Sequence, residues 1–275
     1  MLGSGAMPAT GPLGRSRDAV MARMFTRLFD SGLPPINAAR AAMKLQPLSH
    51  TFEQHLRADR MLVLSSEAFD FPGPPLPPSV RYVGAQFDDP EWADPWVSPW
   101  PKNDARPLVL VGFSSTFQNQ LAALQRVADA LATLDLRGLI TVGPALAIGG
   151  LKVADNISVV ASAPHGQVIR HASVVVTHCG HGTAIKALSQ GVPLLCIPMG
   201  RDQGDNAARA VWHGAGIRLK VSATPASIAK ALNALIHESR YSDAARKLAG
   251  RIRDEGAGDR AVEELESLAI RGKRA

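Results

Sequence analysis

Apolar positions recur with two different periods along this chain. In the first 45 residues they fall at helical spacing, with Met21, Met24, Phe25 and Leu28 on one face, and a second amphipathic stretch follows Pro34-Pro35. Arg60-Met-Leu-Val-Leu-Ser65 then reads as a strand. In Phe71-Pro-Gly-Pro-Pro-Leu-Pro-Pro78 the prolines forbid both helix and central strand. From Tyr82 to Pro107 prolines recur with little periodicity, which predicts a linker. Beyond it apolar runs and helical stretches alternate. Strands are predicted at 108–111, 138–142, 157–160, 173–177, 194–197 and 216–221. The clearest helix is predicted over 118–135, where Leu121, Leu124, Ala128, Leu131 and Leu134 share a face. Six such strands with crossover helices predict an α/β fold with a doubly wound parallel sheet. Thr224-Pro225 then reads as the cap and first residue of a further helix.

Composition narrows the classes. A chain of 275 residues admits one complete domain and part of a second. With 46% hydrophobic and 20% charged residues it has the balance of a globular protein and not of a disordered one. The net charge of +6 comes from scattered basic residues without a nucleic-acid motif, so a solvated surface is expected and no nucleic-acid partner. The short basic end Arg271-Gly-Lys273-Arg274 implies at most peripheral membrane contact. Cys179 and Cys196 both sit in or beside apolar stretches, which argues against a disulfide framework and for a reducing, cytoplasmic setting. No run approaches the ~18 apolar residues of a membrane span, and the Gly- and Pro-rich start lacks a signal-peptide core.

An open parallel sheet binds ligands at the carboxyl ends of its strands, where loops lead into helix N-termini. The most informative loop is His178-Cys-Gly-His-Gly-Thr183, between a buried strand and a helix expected from Ala184 to Ser189 and closed by Gly191. Gly180 and Gly182 let backbone N–H groups approach an anion, and Thr183 is expected to cap the helix and donate its hydroxyl. A diphosphate fits such a nest. Helix dipoles contribute only ~0.3–1 kcal/mol, so directed hydrogen bonds of ~1.5–3 kcal/mol each must carry the binding. Asp202 and Gln203 follow, a carboxylate and a carboxamide able to bracket vicinal hydroxyls. Read alone, this loop is also compatible with a tight turn around a core histidine, and the pair with a solvated turn.

Thr177-His-Cys-Gly-His-Gly-Thr183, Ala187-Leu, Gly191-Val-Pro193, Pro198, Asp202-Gln203, Asn206-Ala207 and Gly214-Ala-Gly216 together resemble the signature of the UDP-glycosyltransferase superfamily, especially its bacterial natural-product branch. The resemblance implies a GT-B fold with a complete C-terminal, Rossmann-like sheet domain and a partial N-terminal acceptor domain. It implies an inverting transfer of a hexose from a UDP- or TDP-sugar to a hydroxyl of a small hydrophobic acceptor. The nucleotide sugar would be a co-substrate, with neither cofactor nor metal. On the donor diphosphate it places His178, Gly180, His181, Gly182 and Thr183, together with Ser114 and Ser115 of the Gly112-Phe-Ser-Ser-Thr116 turn. On the sugar it places Asp202 and Gln203. Ala163, Pro164 and His165 would hold the base; no Trp stands there to stack on it, and His165 replaces the Gln of plant members. Lys186 stands where plant members have a ribose-binding Glu, and a lysine cannot accept those hydrogen bonds.

The same resemblance divides the chain into a remnant of the acceptor domain at 1–84, an interdomain linker at 85–106, the donor domain at 107–252 and a C-terminal helix at 253–275 that packs back toward the first. The segment carrying the family's general-base histidine and its orienting Asp has no counterpart here. An N-terminally truncated chain is therefore expected, with the catalytic base unassigned and low activity; His50 and His55 read as exposed helix residues. Three other readings stay open: a non-catalytic nucleotide-sugar-binding subunit, a GT-B-fold sugar-nucleotide epimerase, and a zinc or Cys–His site at His178-Cys179-x-His181.

Overall fold

A computed structural model describes residues 4–87, 95–113, 120–143, 148–256 and 259–272. The front of the chain forms α1 (Pro12–Asp30), α2 (Leu33–Ala42) and the single turn α3 (Glu53–Leu56). Two short parallel strands follow, β1 (Met61–Val63) and β2 (Val80–Tyr82), paired from Met61↔Val80 to Val63↔Tyr82. The proline run lies between them without regular structure. The stripe of α1 finds little cover: Leu13, Val20, Met24 and Leu28 are exposed.

The remainder alternates strand and helix: β3 (Leu108–Gly112), α4 (Leu121–Leu131), β4 (Arg137–Thr141), β5 (Ile157–Val160), α5 (His165–Ile169), β6 (Val174–Thr177) and α6 (His181–Ser189). Then come β7 (Leu194–Cys196), α7 (Gln203–Trp212), β8 (Gly216–Arg218), α8 (Pro225–His237), α9 (Ser239–Gly256) and α10 (Arg260–Gly272). The sheet order is β5-β4-β3-β6-β7-β8, every pair parallel. All six strands lie where the hydrophobic pattern puts them. The order reverses between β3 and β6, so the switch point of the doubly wound sheet falls where Gly112 and His178 leave their strands.

Alternation along the central strands explains the two helical layers. Leu108, Leu110 and Val175 face a cluster with Ile169 of α5, Ile185 and Leu188 of α6, and Leu248 of α9. Val109, Val111, Val174 and Val176 face the opposite one with Leu124 and Leu131 of α4 and Leu232 of α8. Strands covered on both sides need apolar residues at every position, which is why β3 and β6 are continuous runs. Each large side chain so buried contributes ~1.5–3 kcal/mol relative to exposure.

Helix ends show where the chain chemistry decides. Thr224 caps α8 by accepting from Ser227 N–H, with Pro225 at the first position, as its sequence predicts. The helix expected over 118–135 is described from Leu121 and ends at Leu131, because Thr133 and Leu134 close a tighter turn whose N–H groups reach Ala130 and Leu131 carbonyls. At the C-terminus Glu264 of α10 pairs with Arg60 Nε at 2.9 Å, tying this helix to the front of the chain beside β1. No helix among the described residues is long and apolar enough to cross a membrane.

Candidate functional site

At the switch point His178 reaches back from β6 to the Gly112 carbonyl at the end of β3, while its ring stands 6.4 Å from that of Phe113. Burial holds its pKa below the ordinary histidine value, against the pull of Asp202 and the Gly112 carbonyl. It is therefore neutral at pH 7, and the single N–H of the neutral ring faces the Gly112 carbonyl. A Cβ on Gly180 would stand 2.6 Å from His178 Nε2, so only glycine leaves the ring room there.

The loop after His178 is tightly specified. Cys179 is buried with φ at 69°, a left-handed conformation unusual for a residue with a Cβ. Its N–H donates to Thr177 Oγ1 at 3.2 Å and its carbonyl accepts from Asn206 Nδ2 at 3.1 Å, which bolts the loop onto α7. The Cys179 and Cys196 sulfurs are 3.2 Å apart. That hydrogen bond and burial push the Cys179 thiol well up, so it lacks the thiolate a nucleophile needs. Among the described residues no group of three or more His, Cys, Asp or Glu is placed to hold a metal ion.

α6 begins three residues earlier than its sequence suggests. Gly180 is the N-cap, without a side-chain cap bond, and Thr183 sits at the third position instead of capping. With the N-cap at Gly180, the helical run extends back through His181 and Gly182. The consequence is that the N–H groups of His181, Gly182 and Thr183 belong to the first turn, where a helix leaves its N–H groups without intrahelical partners. His181, half-buried, has its Nε2 2.9 Å from Ser65 Oγ.

The expected base segment lies beside this mouth. His165, at the first position of α5, has Nε2 3.0 Å from Thr141 Oγ1. The Thr141 hydroxyl donates to the Val111 carbonyl at 3.2 Å, so His165 donates through Nε2. Ala163 and Pro164 precede it, both half-buried. The segment is held from two sides, by Gln190 Nε2 on the Gly166 carbonyl at 3.1 Å and by Trp96 N–H on Gln167 Oε1 at 2.9 Å.

The two members of the expected sugar pair differ. Asp202 is exposed, and its Oδ2 accepts from Asn206 Nδ2 at 2.9 Å. Gln203 is 2% exposed, and its Oε1 accepts from Met199 N–H at 2.7 Å, closing a turn in which Arg201 takes φ 55°. Two of the three non-glycine residues with left-handed φ among the described residues, Cys179 and Arg201, thus fall in the loops singled out by sequence.

Ser114 and Ser115 lie outside the described residues. His55 is an exposed residue of α3, whereas His50 occupies a bend before it and not a helix, drawn there by a 2.8 Å contact from Nδ1 to Asp30 Oδ2. Sequence reading missed Asn206 as the brace between Cys179 and Asp202, and Ser65 as the partner of His181. The Asn206-Ala207 motif was a signal for the first; for the second there was none, since 116 residues separate the pair.

The model of the erythromycin biosynthesis protein CIII-like C-terminal domain matches residues 125–268. The 4'-demethylrebeccamycin synthase of Lentzea aerocolonigenes is 29% identical over 279 residues, covering 97% of this chain and 63% of the relative. The chain thus spans under two thirds of that relative's length. Among solved structures, the glycotransferase of kitacinnamycin superposes with a TM-score of 0.74 at 22% identity, covering 92% of this chain and 66% of the other. The glycosyltransferase VinC in complex with DTDP gives a TM-score of 0.58 at 23% identity, covering 77% and 52%. These likenesses show the fold, a GT-B architecture with its Rossmann-like parallel sheet.

Proposed function

The chain belongs to the family of erythromycin biosynthesis protein CIII-like C-terminal domains, and from that premise we propose that it binds a UDP- or TDP-sugar and serves the inverting transfer of its hexose to a hydroxyl of a small hydrophobic acceptor. The observation that carries this reading is the switch-point arrangement: neutral His178 braced on Gly112, beside three first-turn N–H groups of α6 at the mouth of a strained, anchored loop.

Transfer breaks the bond between the anomeric carbon and the diphosphate while a bond to the acceptor oxygen forms and the acceptor hydroxyl gives its proton to a general base. Negative charge then grows on the leaving diphosphate. Preoriented N–H donors stabilise that charge more in the transition state than in the ground state, which is the condition for catalysis. Each such charge-assisted bond contributes ~1.5–3 kcal/mol. Asp202, with an exposed carboxylate, accepts from sugar hydroxyls. Gln203 supports the turn that presents Asp202 to the same hexose. Ala163, Pro164 and His165 hold the pyrimidine, the His165 ring being fixed by Thr141.

In this reading 107–252 form the donor domain, 1–84 belong to the acceptor side, 85–106 link the two and 253–275 return to the acceptor side. The bond of Glu264 to Arg60 supports the last assignment. The VinC complex with DTDP, a structure of the same fold, supports a nucleotide at this sheet. The test is consumption of UDP-glucose and TDP-glucose with a panel of phenolic and macrocyclic acceptors. Formation of a glycoside that Asp202→Ala diminishes supports the proposal; binding of neither nucleotide by the chain overturns it.

A further inference from the structure

His181 stands at the first position of α6, in the loop read above as the diphosphate site, yet its ring is not held by that loop. Nε2 meets Ser65 Oγ at 2.9 Å, and one side of the ring faces Phe69, with 6.5 Å between centroids. Both partners come from the segment 65–71, which is anchored independently. Ser66 Oγ donates to Glu255 Oε2 at 2.5 Å and Ala68 N–H to Glu255 Oε1 at 2.9 Å. His213 Nε2 reaches the Phe69 carbonyl at 3.1 Å, and Arg209 Nε pairs with Asp70 Oδ1 at 2.8 Å. Ser65 is thus delivered to His181 by a seated strap and not by chance contact of two loops.

Burial keeps the His181 ring neutral, with Arg209 acting in the same direction and Asp202 against it. A neutral imidazole has one N–H and one lone pair, and the hydrogen bond made by one nitrogen fixes the role of the other. Nδ1 is the nitrogen nearest the Cβ and so lies close to the residue's own backbone, in the first turn of α6, whose N–H groups lack intrahelical partners. A lone pair there would repel a phosphate oxygen. An N–H there would add a donor to those of the backbone.

We propose that Ser65 is a positioning residue of the donor site, its hydroxyl donating to Nε2 of His181 and so fixing the Nδ1–H tautomer, which donates to the diphosphate. This rests on the reading of 178–183 as the diphosphate loop. It makes the acceptor-side strap a part of the donor machinery: the loop carries its full set of donors only while the strap is seated.

The experiment pairs long-range proton–nitrogen NMR of histidine-labelled protein with calorimetric titration of UDP, TDP and uridine. In the wild type the His181 ring shows a protonated Nδ1 and an unprotonated Nε2. Ser65→Ala shifts the ring toward the Nε2–H tautomer and weakens UDP about tenfold, one charge-assisted hydrogen bond, without changing uridine; Ser65→Thr, which keeps the hydroxyl, restores both. A wild-type ring protonated at Nε2 overturns the proposal even if Ser65→Ala fails to fold. Equal UDP affinity of wild type and Ser65→Ala overturns it while leaving the diphosphate loop intact. Failure of the wild type to bind UDP and TDP at all defeats the loop reading itself, and this inference with it.

Discussion

The Cε1 of His165 stands 2.7 Å from where a Cβ on Gly112 would be, so the end of β3 and the start of α5 interlock at the one position without a side chain. The absence of that side chain is what lets His165 reach Thr141.

Gly112→Ala should therefore displace the His165 ring and cost ~1–3 kcal/mol of stability, the usual range for overpacking. Removing the ring as well, in Gly112→Ala/His165→Ala, should recover part of the loss. Denaturant unfolding of the three variants checks this as a double-mutant cycle. Additive losses would mean that the two residues do not compete for the same space.

Asn206 joins the loop at Cys179 to the turn at Asp202 through one amide, donating to the Cys179 carbonyl and to Asp202. Asn206→Ala leaves the buried Cys179 carbonyl without its side-chain donor, a loss of ~1–3 kcal/mol. It also frees Asp202, so nucleotide-sugar affinity should fall along with the melting temperature. A variant as stable as wild type would show that the left-handed Cys179 needs no brace.

The expected sugar pair should separate by mutation. Asp202→Ala should weaken a nucleotide sugar far more than the free nucleotide, with little change in stability, because the carboxylate is exposed. Gln203→Ala should have the same selectivity and in addition destabilise by ~1–3 kcal/mol, since its buried Oε1 caps Met199 N–H. Equal losses for both ligands contradict the assignment to the hexose.

Stability should fall on acidification from pH 7.5 to 5.5. Burial depresses the pKa of His178, His181 and His213 below the histidine value of 6.5. The unfolded chain then binds more protons than the native one, so their contribution is present above the unfolded pKa and is lost as pH falls through the folded values. His50 acts oppositely, its pKa raised by Asp30, but it is exposed and screened. Thermal unfolding across this window should show the decline, steeper in His50→Ala; a flat or rising profile contradicts the burial argument.

Much of this was legible because it depends on local pattern. Continuous apolar runs such as 174–176 mark strands buried on both faces, and Gly180 marks a close approach, which the structure shows to be that of the His178 ring. What escaped depends on distant partners. Gln203 reads as a ligand-facing amide, and only the fold shows it also spent on Met199. Thr183 reads as a cap, since threonine and glycine serve about equally well at that position and only the fold shows that Gly180 is the one used. The contact of His181 with Ser65 joins two segments that no periodicity relates.

The most direct test of the donor site is calorimetric titration of the chain with UDP and TDP in EDTA, beside His178→Ala. The account predicts binding without added metal, and weaker binding once the His178 ring that sets this loop against the Gly112 carbonyl is removed. Binding that disappears in EDTA and returns with Mg²⁺, or that His178→Ala leaves unchanged, would contradict it.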